Sequence, residues 1–191
     1  MMDEVIENIV SESLEVKLDF FKKNKKHIIQ VSHKIADAFK MGRKLLIFGN
    51  GGSAADAQHL AAEFVNRMLI ERPPLPAIAL TTDTSILTSV SNDYSYDEIF
   101  TKQIKALGQK GDVAFGISTS GRSRNVVDAM KTASKMELYT VSMTGGDGGE
   151  LASLCHVNLN VSLGKNAPRT QETHLVTLHI IAELVDRILF P

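Results

Sequence analysis

The chain has 191 residues, 43% of them apolar and 23% charged, enough to bury a sizeable core and the length of one large domain or two very small ones. Lys and Arg number 21 against 22 Asp and Glu, a net charge of -1 with His neutral; this excludes the basic footprint of a nucleic-acid-coating protein but not a phosphate ligand, which oriented backbone amides can hold without net charge. The single cysteine, Cys155, rules out an intrachain disulfide and a cysteine zinc cluster, and the acidic opening Met1 to Val10 and the lack of any apolar run of about 18 residues predict a soluble cytoplasmic protein with no membrane partner.

From Glu4 to about Lys40 the pattern is helical. Val5, Ile9, Leu14, Leu18 and Phe21 recur at helical steps, and Ile28, Val31, Ile35 and Phe39 repeat the pattern. The charged stretch Lys22 to Lys26 predicts a break, so residues 1–41 read as an N-terminal helical pair. Two amphipathic helices must bury their stripes on the domain or on a second subunit. Five short apolar runs follow: Lys44 to Phe48, Ala77 to Leu80, Asp112 to Ser118, Leu138 to Met143 and His156 to Val161. Helical stretches lie between and after them, at Ala54 to Leu69, Tyr96 to Leu107, Arg122 to Lys135 and Pro168 to Leu189. Strands alternating with helices predict one α/β domain over residues 1–191, a three-layer sandwich around a five-stranded parallel sheet. Ligands bind such sheets at the carboxyl ends of the strands, so the chemistry belongs after Phe48, Leu80, Ile117 and Met143.

Two of these junctions suit an anion. Gly49-Asn50-Gly51-Gly52-Ser53 allows a tight turn and close approach of a ligand, and Ser53 falls near a helix start. It is not a Walker A loop, and the third glycine of a dinucleotide fingerprint would fall on Ala54. Ser118-Thr119-Ser120-Gly121-Arg122-Ser123 sets four hydroxyls around one glycine, a donor-rich nest for a phosphate monoester. Either loop alone also suits an ordinary serine-capped junction; two at one sheet edge are harder to explain that way. Gly145 to Gly149 reads as a turn.

His59 and Glu63 stand four apart on the helix leaving the first loop, and Gln171 and His179 stand eight apart on the last helix, so each pair shares a face. Imidazole, carboxylate and amide oxygen suit zinc or a similar divalent ion. Taken one at a time, polar residues on long helices need no metal, and His179 also fits as a core histidine. A carboxylate and a histidine beside a phosphate nest suit proton transfer next to a carbonyl, the chemistry of aldose–ketose isomerisation. Asn92 and Asp93 add groups able to bind sugar hydroxyls.

The stretches G-N-G-G-S-A-A-D-A-Q-H at Gly49 to His59, A-A-E at Ala61 to Glu63, N-D-Y at Asn92 to Tyr94, G-I-S-T-S-G-R-S at Gly116 to Ser123, and R-T-Q-E-T-H at Arg169 to His174 followed by His179 resemble the sugar isomerase (SIS) proteins, and among them the bacterial phosphoheptose isomerases. The resemblance implies isomerisation of D-sedoheptulose 7-phosphate to D-glycero-D-manno-heptose 7-phosphate, toward the heptose of lipopolysaccharide. It implies substrate contacts at Asn50, Gly51, Gly52, Ser53, Glu63, Asn92, Asp93, Ser118, Thr119, Ser120, Ser123 and Gln171, with Glu63 and His179 as the acid–base pair. It further implies one zinc per subunit on His59, Glu63, Gln171 and His179, and a homotetramer in which Arg67 reaches a neighbour's site. Asn66 to Asp83 and Leu189 to Pro191 are similar to a cousin that binds the DnaA replication initiator. That cousin, or a phosphosugar-sensing module, is the alternative. Glu63 and His179, not retained in the initiator-binding cousin, favour the enzyme. Lys165 to Pro168 departs from the isomerase pattern, where an Asp is expected near Pro168.

Overall fold

The computed structural model describes residues 1–191. A long helix α1 (Met2–Lys40) precedes β1 (Leu45–Gly49), α2 (Gly52–Val65), β2 (Ala77–Ala79), α3 (Thr84–Asp93), α4 (Ile99–Leu107) and β3 (Val113–Ile117). The chain continues through α5 (Arg124–Lys135), β4 (Tyr139–Gly145), the single turn α6 (Leu151–Leu154), β5 (Val157–Val161) and α7 (Ala167–Leu189). The five strands pair in parallel in the order β2-β1-β3-β4-β5. Leu45 is level with Ala77 on one side and Val113 on the other, and Val113 with Tyr139. The order reverses at β1 and β3, so the crevice at their carboxyl ends is the topological switch point, where such sheets take ligands.

Alternation along the strands divides the core into two layers. Leu45, Ile47, Val113, Phe115 and Ile117 face α1, α2 and α7, while Leu46, Phe48 and Ala114 face α4 and α5. Every residue of β1 and β3 is buried, as a parallel strand covered on both faces requires. Phe39 meets Phe64 edge-on in the first layer, and Phe48 packs on Phe100 in the second. No helix is long and apolar enough to cross a membrane. The three layers and the five parallel strands are as expected from the apolar runs.

The N-terminal helical pair is corrected: residues 2 to 40 form one unbroken helix. Lys22 to Lys26 contain no proline or glycine, and lysine is a good helix former. The buried stripe, Val16, Phe20, Asn24, Ile28, Val31 and Ile35, runs straight through the charged stretch. Asn24 interrupts its hydrophobicity but not its geometry, because its amide donates to Phe20 O one turn back (3.1 Å). The stripe lies along α7, where Ser13 Oγ donates to Glu172 Oε2 (2.6 Å). The other predicted stripe, Val5, Ile9, Leu14 and Leu18, is exposed. Helix α3 is absent from the expectation. None of its residues is fully buried; Leu87 and Val90 pack partly on the second core layer, but seven of its ten residues are Ser, Thr, Asn or Asp, so its apolar pattern is short; its start is fixed by Asp83, which accepts from Ile86 N (2.9 Å).

Helix α7 is anchored to the sheet by a buried histidine. His174 is fully buried, and its Nε2 donates to Thr144 O at the end of β4 (3.2 Å). Its Nδ1 has no partner. Burial pushes its pKa down to about 4, against the smaller upward pull of the bond to Thr144. The folded chain therefore refuses a proton that the unfolded chain accepts near pH 6.5. Stability is greatest above that pH, falls as pH drops from 6.5 to 4, and loses no more to this group below 4. A shift from 6.5 to about 4 corresponds to about 3 kcal/mol. His174→Gln should remove this part of the pH dependence, narrowing its stability gap to the parent chain between pH 7 and pH 4 in denaturant titrations. Phe20→Ala should cost about 3–5 kcal/mol in the same assay at neutral pH, because the ring is 1% exposed at the α1–α7 contact.

Candidate functional site

At the carboxyl end of β1 the chain turns through Gly51, whose φ is +57°, a conformation that favours glycine. Gly49 allows the close approach of β1 to β3: a Cβ there would sit 2.7 Å from Ile117 O. Asn50 is held in place by a reciprocal amide pair. Its Nδ2 donates to Asn125 Oδ1 (2.8 Å), while Asn125 Nδ2 and Tyr96 OH both donate to its Oδ1 (2.9 Å each). Neither Asn125 nor Tyr96 was predicted; they lie 75 and 46 residues from Asn50, and nothing local marks them. Ser53 is buried in the first turn of α2.

Across the switch point, the hydroxyls of the β3 loop converge. Ser118 Oγ lies 3.0 Å from Ser123 Oγ and 3.4 Å from Ser120 Oγ. The loop turns at Gly121 (φ +63°), which presses on the carbonyl of Gly148 and leaves no room for a side chain. The Gly145–Gly149 turn thus buttresses the serine loop, and Gly145 N donates to Thr119 O (2.9 Å). A two-pronged ion pair, Arg122 with Asp147 (2.9 and 2.6 Å), bridges the two loops at the surface. The Arg122 hydrogen bond and charge, with Gly149 N, hold the Asp147 carboxyl down at about 2. A cleft of about 240 Å³ beside this loop is lined by Thr119, Ser120, Lys165 and Thr170, among others.

Two turns into α2, His59 and Glu63 face His179 of α7. One ligand atom from each lies within 4.8 Å of the others. His59 Nε2 is 2.7 Å from His179 Nε2 and 3.4 Å from Glu63 Oε1. Two ring nitrogens at that distance share one proton or a cation. Ligands of a tetrahedral zinc stand about 3.3 Å apart, so small side-chain movements fit the set to a metal. Two imidazoles and a carboxylate match the donor set of catalytic zinc sites, which keep a position open. The side chains of His59 and Glu63 are 40% and 18% exposed, so the group is reachable from solvent. The His59–Glu63–His179 cluster can therefore coordinate a metal ion.

The other predicted residues are distributed around this group. The Gln171 amide packs against Gly52, at the first turn of α2. Asn92 and Asp93 end α3, exposed, with Asn92 donating to Asp93 (2.8 Å). Arg67 is exposed and pairs with Glu71. Asp56, not predicted, lies one turn before His59. Burial raises its pKa to about 6, against the pull of His59, and its Oδ2 is buried without a partner. The A-D-A-Q-H spacing, which places Asp56 on the His59 face, was the available signal. A larger cavity of about 480 Å³ lies at the opposite, amino ends of β3 and β4, lined by Lys34, Tyr139 and His156 among others; it contains none of these groups.

Residues 10–145 match the SIS domain family. The phosphoheptose isomerase of Nitratidesulfovibrio vulgaris strain Hildenborough is 52% identical over 186 residues, covering 97% of this chain and 88% of that protein. The solved phosphoheptose isomerase of Neisseria gonorrhoeae is 39% identical, with a TM-score of 0.92, covering 98% of this chain and 100% of that one. That of Francisella tularensis is 33% identical with a TM-score of 0.93, over 98% and 99% of the two chains. With identity and fold both sustained over nearly the whole length, the chain belongs to the SIS-domain phosphoheptose isomerase family.

Proposed function

We propose that this chain interconverts D-sedoheptulose 7-phosphate and D-glycero-D-manno-heptose 7-phosphate, the step that opens ADP-heptose and lipopolysaccharide heptose synthesis. The observation that carries this reading is the convergence of His59, Glu63 and His179 beside two donor-rich loops at one switch point. Binding the DnaA initiator, or sensing a phosphosugar without turnover, would use the surface or the loops and leave this convergence without a purpose.

The phosphate binds the hydroxyls of Ser118, Thr119, Ser120 and Ser123 and the turn at Asn50 to Ser53, which accept its charge without a buried cation. Asn92, Asp93 and Gln171 bind sugar hydroxyls. In the open-chain ketose, Glu63 takes the proton from C1 while His179 gives one to the oxygen on C2, forming the enediol. Glu63 then returns a proton to C2 as His179 takes one from the oxygen on C1, which yields the aldehyde. No atom is gained or lost. His59, Glu63, Gln171 and His179 would hold a zinc ion, which supplies charge stabilisation to the neighbouring oxygens worth several kcal/mol. A carboxylate has two oxygens, so holding the ion with one leaves the other for the proton.

The exposed stripe of Val5, Ile9, Leu14 and Leu18 on α1 supports assembly into a homotetramer, with Arg67 directed to a neighbour's site. A lone, largely buried Cys155, its thiol pushed up to about 11 by burial, suits a reducing compartment, and we place the enzyme in the cytoplasm.

Turnover of sedoheptulose 7-phosphate by the purified protein tests the reading. Loss of turnover with a chelator and its return with zinc are expected; turnover indifferent to both would leave Glu63 and His179 as a plain acid–base pair. Glu63→Gln and His179→Ala should each lower kcat by at least about 100-fold with circular dichroism unchanged, and full activity in both would refute the assignment. Ser120→Ala should raise KM more than it lowers kcat, because a phosphate contact is made in ground and transition states alike; an unchanged KM would remove that loop from the phosphate site.

A further inference from the structure

Between α2 and β2 the chain runs through residues 66–76 without regular structure, and one side chain of this segment turns inward. The Arg72 side chain is 1% exposed and that of its partner Asp186 6%. Arg72 Nη2 donates to Glu63 O (2.8 Å), and Nη1 to Phe64 O (2.6 Å), Asn66 O (2.9 Å) and Pro73 O (3.2 Å). These include carbonyls of the last turn of α2, which have no partners within the helix, at the end where its dipole is negative. The remaining donor, Nε, binds Asp186 Oδ1 on α7 (3.0 Å). Asp186 lies seven residues beyond His179 on α7, about two turns along the same face.

We propose that Arg72 and Asp186 are a positioning pair, which sets the spacing of α2 and α7 and so brings Glu63 and His59 to His179. The inference rests on the site assignment given above. One guanidinium holds the backbone of Glu63 itself and, through Asp186, the helix that carries His179. Stability alone does not account for such a pair, because a buried ion pair is often no more stable than apolar side chains of its size. A fixed fork of N–H donors does account for it: the fork sets distance and angle together, and a flexible ammonium does not. Misplacement by about 1 Å costs a reaction of this kind about 100-fold, and loss of groups that orient metal ligands typically costs about 10–100-fold in affinity or activity.

The test uses Arg72→Lys, which keeps the charge and loses the fork, and Asp186→Asn, which keeps the shape and the acceptor oxygen. Ile104→Ala, a cavity in the core layer on the other face of the sheet, serves as a control for lost stability. Each protein is assayed at a temperature where circular dichroism shows it folded. Both site variants should lose about 10–100-fold in kcat with KM held within about twofold, and zinc affinity, read by competition with a fluorescent chelator, should weaken by a similar factor. The imidazole ¹⁵N spectrum of the metal-free protein should lose the shared-proton signature of the His59–His179 contact. The control should keep all three. Unchanged kcat, zinc affinity and ¹⁵N spectrum in both variants would overturn the inference, as would equal losses in Ile104→Ala. If Arg72→Lys does not fold, Asp186→Asn decides by the same readouts. A parent chain that neither binds zinc nor turns over the heptulose phosphate refutes the proposed function; the ¹⁵N spectrum then decides the positioning role on its own, since it needs neither metal nor substrate.

Discussion

Two helices separated by more than a hundred residues meet along one face of the sheet, and the site is where they meet. Helix α2 leaves the glycine turn after β1 and carries His59 and Glu63; α7 closes the chain and carries Gln171 and His179. Their contact is set by apolar packing, through Leu60, Phe64, Leu178, Ile181 and Val185, by the close approach of the Gln171 side chain to Gly52 near the loop, and by the Arg72–Asp186 ion pair at the far end. Packing of non-directional side chains brings two helices together but tolerates sliding by fractions of an ångström. The guanidinium–carboxylate contact is directional and removes that freedom, and it lies on the same face of α7 as the two ring nitrogens that approach to 2.7 Å.

The loops opposite follow another rule. Their work is to present donors, and glycine makes that possible where a Cβ would obstruct it. Gly49 brings β1 against β3, and Gly121 brings the serine loop against the Gly148 carbonyl. Each loop is braced by residues that need not touch a ligand: Asn125 and Tyr96 fix Asn50, and the Gly145–Gly149 turn with its Arg122–Asp147 bridge fixes the serines. The hydroxyls and amides of both loops are therefore held in place by the fold itself, so a ligand taken there would meet donors already ordered.

Helix α1 belongs to both the fold and its surface. One stripe buries Phe20, Ile28 and Ile35 against α7, so α1 supports from behind the helix that carries His179. The other stripe, with Val5 and Leu18, faces outward. An unbroken helix can carry two stripes at different angles, and the charged stretch Lys22 to Lys26 lies on the solvent side of the buried one, apart from Asn24.

Local patterns made the strands, most helices and both loops legible, because a buried parallel strand is a short apolar run and a tight, donor-rich turn needs glycine and hydroxyls in sequence. The pairs His59/Glu63 and Gln171/His179 were legible for the same reason: residues slightly over one or two turns apart lie near the same face in any helix. Helix α3 was not, since its few apolar residues, Ile86, Leu87 and Val90, sit in a short stretch of Ser, Thr, Asn and Asp, nor was the continuity of α1, since Asn24 takes a core position while looking like part of a charged loop. The amino-acid sequence by itself thus determined the parallel α/β architecture, the anion-ready loops and two half-sites of suitable chemistry. Tertiary structure alone decided that the half-sites join, that Asn125 steadies Asn50, and that Arg72 reaches Asp186 114 residues away. Contacts at such separation arise from the packing of whole elements, which leaves no mark in the local order of residues.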